Sequence, residues 1–67
     1  MSMNEKMLTV KDVAEKLNTS IATIYRMVGD DQIPYLLIGH HGKTIRFIEE
    51  DINNWIEERK KANQIQG

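Results

Sequence analysis

This sequence predicts a mostly α-helical domain with one small β-hairpin, on three observations. Two short segments, 10–17 and 21–28, repeat apolar residues at i, i+3, i+4 and i+7, the spacing that lays one apolar stripe along an α-helix. Between residues 35 and 48 the pattern changes to two β-rich runs around a turn with two glycines, which reads as a hairpin. A third stripe, Ile48, Ile52, Trp55 and Ile56, overlaps an acidic triplet. Negative charge there suits the first turn of a helix, where it faces the positive end of the dipole. The expected order is therefore helix, turn, helix, hairpin, helix. With 67 residues the chain is long enough for one small core and too short for a deep catalytic cleft.

Residues 1–7 carry no periodicity and are expected to form a flexible lead-in, with Met7 and Leu8 the first residues able to join a core. Thr9, with Asp12 three positions on, resembles a capping box in which Asp replaces the usual Glu. Helix one should start there and bury Val10, Val13, Ala14 and Leu17. Asn18 is suited to a left-handed conformation that stops it. Ser20 can cap the second helix, because its hydroxyl accepts from a backbone N–H that the first turn leaves unpaired. Ile21, Ile24, Tyr25 and Val28 are expected to bury one face, while Ala22, Thr23, Arg26 and Met27 point elsewhere. Gly29, Asp30 and Asp31 should end this helix, and Pro34 holds Ile33 extended.

In the hairpin, alternation places Thr44, Arg46 and Ile48 on one face and Ile45 and Phe47 on the other, so Arg46 projects while Phe47 turns inward. A two-stranded hairpin is marginal alone and must pack on the helices. The triplet Glu49, Glu50 and Asp51 is read as a helix start, and Trp55 as core. Arg59, Lys60 and Lys61 fall in the last turns, and residues 62–67 are expected to be a frayed tail. A hairpin placed after the second helix of a helix-turn-helix is a wing. The expected fold is thus a winged helix-turn-helix over residues 8–61, between the lead-in 1–7 and the tail.

Composition narrows the function. The net charge of −1 argues weakly against nucleic acid, but its distribution matters more than its sum. Residues 40–47 hold His40, His41, Lys43 and Arg46 with no acid, while the acids gather at Asp30 and Asp31, at residues 49–51, and at Glu57 and Glu58. The absence of cysteine removes disulfides and thiolate zinc sites and suits a reducing cytoplasm. The longest apolar run, 35–38, is far too short for a bilayer span, and the N-terminus has no signal-peptide pattern. A cytoplasmic protein without a membrane partner is expected. No nucleophile, base and acid stand at a recognisable spacing, and no glycine-rich phosphate loop follows a strand. The expectation is therefore a protein that is not an enzyme and takes no cofactor. Two adjacent histidines lack the remaining ligands of a metal site.

From residue 8 to 56 the chain carries Leu8, Thr9 and Val10, then Asp12, Val13, Ala14 and Leu17, then Ser20 with Thr23, Ile24, Tyr25 and Arg26. Ile33 and Pro34, Ile38 and Gly39, Arg46 and Phe47, and finally Asp51, Ile52, Trp55 and Ile56 follow in order. In this succession the chain resembles the small winged helix-turn-helix domain of the excisionase type, a relative of the DNA-binding domain of MerR regulators. The resemblance implies that the second helix enters the major groove and that the wing follows the minor groove or backbone of double-stranded DNA. It also implies an excisionase-like recombination directionality factor or a small transcriptional regulator of a mobile element or prophage, associated with a prokaryotic nucleoid. Its further partners would be a site-specific integrase and further copies of itself assembled on DNA. The chain departs from the family at Asn18 and Thr19, which replace a glycine and a small apolar residue, and at Asp31, where glycine is usual.

The candidate DNA contacts on the recognition helix are Ser20, Ala22, Thr23, Tyr25, Arg26 and Met27. Arg26 is suited to bidentate contact with guanine or phosphate, against the alternative of an ion pair with Asp30 four residues on. Ser20 and Thr23 are candidate donors. Tyr25 is expected to lie largely in the core, with its hydroxyl toward phosphate. In the wing, Lys43 and Arg46 suit the DNA backbone, and protonation of His40 and His41 would add charge beside them. A second reading of the same fold is a protein interaction module with little DNA affinity, favoured by the acidic balance and by Asp30 and Asp31.

Overall fold

The structure, a computed structural model, describes residues 6–65, with side chains to residue 62. Strand β1 (Met7–Leu8) leads into α1 (Val10–Lys16) and α2 (Ile21–Gly29), then the hairpin β2 (Leu36–Ile38) and β3 (Thr44–Ile48), and last α3 (Glu49–Ile65). The fold is mostly α with a small antiparallel sheet, a winged helix-turn-helix.

Both helix starts follow the sequence signals. The Thr9 hydroxyl accepts from the Asp12 N–H at 3.0 Å, and the Asp12 carboxylate accepts from the Thr9 N–H at 3.0 Å. The Ser20 hydroxyl accepts from the Thr23 N–H at 3.1 Å. Both of these helices end in the same way. After α1, Asn18 takes φ 57°, with its N–H donating to Glu15 O and that of Thr19 to Ala14 O. After α2, Asp31 takes φ 60°, with its N–H donating to Val28 O and that of Gln32 to Met27 O. These paired bonds around a left-handed residue are the Schellman closure, which satisfies carbonyls that the last turn would leave open.

The sheet order is β1-β3-β2. Leu36, Leu37 and Ile38 pair with Arg46, Ile45 and Thr44, as expected for the hairpin. The third strand was not expected. Met7 and Leu8 pair with Ile48 and Phe47, and the Glu49 N–H extends the ladder to Lys6 O at 2.9 Å. The segment just before the first helix thus covers the free edge of β3, which a two-residue strand without periodicity cannot announce.

The core joins all three helices to the sheet. Val13 from α1, Ile24 from α2, Phe47 from β3 and Ile52 from α3 are fully buried, ringed by Leu8, Val10, Ala14, Val28 and Ile33. Phe47 turns inward, as the alternation required. Three expectations need correction. Ile21 and Tyr25, assigned to the buried face of α2, are 45% and 54% exposed. Met27, expected to point away, packs half-buried against the core. The stripe on α2 is therefore rotated toward Ile24, Met27 and Val28: Met27 packs against the core, while Ile21 and Tyr25 border an open groove. Trp55, expected as core, is only half-buried and packs at the core's edge. Its indole N–H donates to Gln32 O at 2.9 Å, and the Arg59 guanidinium stacks 4.9 Å from the ring centroid. The C-terminal helix also continues through Ile65, past the expected fraying at residue 62. Residues 1–5, most of the predicted lead-in, and residues 66–67 of the predicted tail lie outside the described residues.

Candidate nucleic-acid interface

Helix α2 shows two unlike flanks. On one, Ile21 and Tyr25 stand one helical turn apart and form a wall of an open groove of about 370 Å³. The facing walls come from α1 and β3. Lys11, Lys43 and Arg46 line them, and no carboxylate does. On the other flank Thr23 and Met27 border a second groove of about 410 Å³, floored by Leu17, Trp55 and Ile56 and edged by Arg59. Between the flanks, Ala22 and Arg26 face outward and are exposed.

Arg26 forms no ion pair with Asp30, because the one ion pair among the described residues joins Lys60 to Glu57 at 3.5 Å on α3. Its guanidinium is accordingly free for a ligand. Ser20 and Thr23 are more constrained than their types suggest. Their hydroxyl oxygens lie 2.9 Å apart, so one proton is shared inside the pair and a single hydroxyl proton is left to donate outward. The pair also holds the cap, and its geometry is set by the helix start.

The wing tip is a tight turn in which the Gly42 N–H donates to Gly39 O at 3.1 Å. Gly39 and Gly42 take φ 98° and 62°, left-handed values open to glycine at little cost. A Cβ on Gly39 would also meet the Thr44 hydroxyl oxygen at 3.3 Å. This turn carries His40 and His41 exposed at the tip, their rings edge to face with centroids 4.8 Å apart. Lys43 is exposed beside them. Arg46 is half-buried and curls back, one guanidinium N–H donating to Ile45 O at 2.8 Å, which fixes its head at the groove and leaves its other donors unused. Among the described residues no cluster of three or more His, Asp or Glu side chains is placed to hold a metal ion.

The structure thus brings Tyr25, Lys43 and Arg46 to one groove and keeps Arg26 and Ala22 on the adjoining outer face. It puts Met27 on the far flank, half-buried and away from the basic groove. Residues outside the sequence-based set also line the groove, Lys11 and Ile21 among them. Lys11 follows the Thr9 cap on the polar side of a helix, a position with no signal beyond its charge. Ile21 was hidden by a periodicity that counted it as core. A short helix, a Schellman turn, a second helix with one exposed side and a basic hairpin alongside it define a small helix-turn-helix DNA-binding domain. The sequence model of the family described as helix-turn-helix domain matches residues 7–60, and the chain belongs to that family. No curated protein and no solved structure matches it. No described helix is long and apolar enough to cross a membrane.

Proposed function

We propose that this protein binds double-stranded DNA sequence-specifically, with α2 in the major groove and the wing along the adjacent backbone. The observation that carries this reading is the acid-free basic groove of Lys11, Lys43 and Arg46 beside the exposed face of α2. Arg26, Ala22 and the Ser20–Thr23 pair supply base contacts, while Lys43, Arg46 and the histidine tip hold the backbone, which positions the domain without reading sequence. So small a domain covers few base pairs, and useful specificity comes from further copies assembled on the site or from a protein partner such as a site-specific integrase. The role that fits is an excisionase-like recombination directionality factor, or a small regulator of a mobile element or prophage, acting at the prokaryotic nucleoid without catalysis of its own.

The test is a salt titration on random and selected duplexes. Each neutralised phosphate contributes a slope of about −0.9 in log K against log salt. Three to four cations on this face give a slope of about −2.7 to −3.6. Absence of binding to any duplex at low salt would leave the interaction-module reading, which draws on the second, apolar groove beside Trp55. Footprinting on genomic DNA separates the two roles, since an attachment site indicates recombination and a promoter indicates transcription.

A further inference from the structure

We propose that Ile21 is a specificity residue, reading the C5-methyl group of a thymine in the major groove. The inference rests on the DNA-binding reading above and deepens it. Ile21 is the first residue of α2, at the end that helix-turn-helix proteins present to base edges. It is 45% exposed although β-branched and wholly apolar. It is not a stray surface residue, because with Tyr25 it forms the apolar wall of a groove whose other walls carry three cations. A ligand drawn in by those cations meets Ile21 with an apolar surface.

The remaining chemistry of the helix points the same way. Hydrogen-bonding capacity on the exposed side of α2 is small. The Ser20 and Thr23 hydroxyls share a proton at 2.9 Å and keep only one to donate outward, Ala22 offers a methyl, and Gly29 has open space around it and no side chain. Arg26 is the one strong donor. A helix so poor in polar groups discriminates by shape and apolar contact, and the thymine methyl is the apolar group that the major groove displays. Ile21 therefore separates thymine from cytosine at its position, while Arg26 reads a neighbouring base.

The experiment begins with selection of a bound duplex from a random library, followed by replacement of its thymines one at a time with deoxyuridine, which removes only the methyl. One position should lose about fourfold in affinity, the value of one buried methyl-sized group. That loss should vanish in Ile21→Ala and persist in part in Ile21→Val. Both substitutions fall on an exposed residue, and circular dichroism melts should match the parent. A selected site without thymine, uniform binding to all deoxyuridine duplexes, or an undiminished deoxyuridine loss in Ile21→Ala would overturn the inference alone. Failure to bind any duplex at low salt would overturn the DNA-binding reading together with it.

Discussion

Thr9 and Asp12 hold each other at the start of α1, and the consequence is a titration. The Thr9 N–H, then its hydroxyl, keep the Asp12 carboxyl below the ordinary aspartate value of 3.8. The folded state therefore binds this proton less readily than the unfolded chain does. Its stabilisation is present in full above the ordinary value and is lost as pH falls through the lower folded one. Thermal melts in mildly to strongly acidic buffer should show this loss in the parent protein and a flatter profile in Asp12→Asn. Thr9→Ala should cost about 1 kcal/mol near neutral pH, as other hydroxyl caps do. Asp31 is a second residue with a conformation to test. It sits at φ 60°, where an L side chain is disfavoured by about 1 kcal/mol. Asp31→Gly should raise the melting temperature, whereas Asp31→Asn should leave it nearly unchanged. Both remove a negative charge near α2, so both should tighten DNA binding at low salt.

In the binding mode proposed above, helix α2 and the wing divide the work, and substitutions in them should behave differently. Arg26→Ala should cost about 1 to 3 kcal/mol on the selected duplex and relax the preference at one base position. Lys43→Ala should weaken all duplexes alike and reduce the salt slope by about 1. Equal loss on every sequence for Arg26→Ala would remove α2 from sequence reading. The seat of the helix is anchored in two ways. Ile24 and Val28 anchor it in the core, and its closing turn is tied to α3 through the bond from the Trp55 indole to Gln32 O. The wing is held on both sides, by β2 on one edge of β3 and β1 on the other, so its basic tip is displayed from a braced strand.

The molecule as a whole has little stability to spare, since a domain of this size buries a modest share of its surface. Phe47 is fully buried where β3 meets the helices, and Phe47→Ala should cost about 3 to 5 kcal/mol, enough to unfold much of the population at ambient temperature. Trp55→Ala should be milder, because the ring is only partly buried and seals an edge of the core. Chemical denaturation of the two variants side by side checks the order. A Trp55→Ala protein less stable than Phe47→Ala would show that the α2 and α3 junction, and not the sheet, is the weak point of the fold.

What could be read from the sequence was whatever depends on near neighbours along the chain. The Thr9 box, the Ser20 cap, the left-handed stop at Asn18, the inward turn of Phe47 and the acidic start of α3 each follow from residues within a turn or a strand of one another, and all are present. Tertiary packing decided what periodicity leaves open. An apolar stripe on a short helix is broad enough to rotate, and packing in the fold turned Met27 toward the core and left Ile21 and Tyr25 facing the groove. The pairing of Met7 and Leu8 with β3 depends on a contact some forty residues away in sequence. The basic groove is likewise a product of the fold, for Lys11, Lys43 and Arg46 become neighbours only when β3 and α2 both pack against α1.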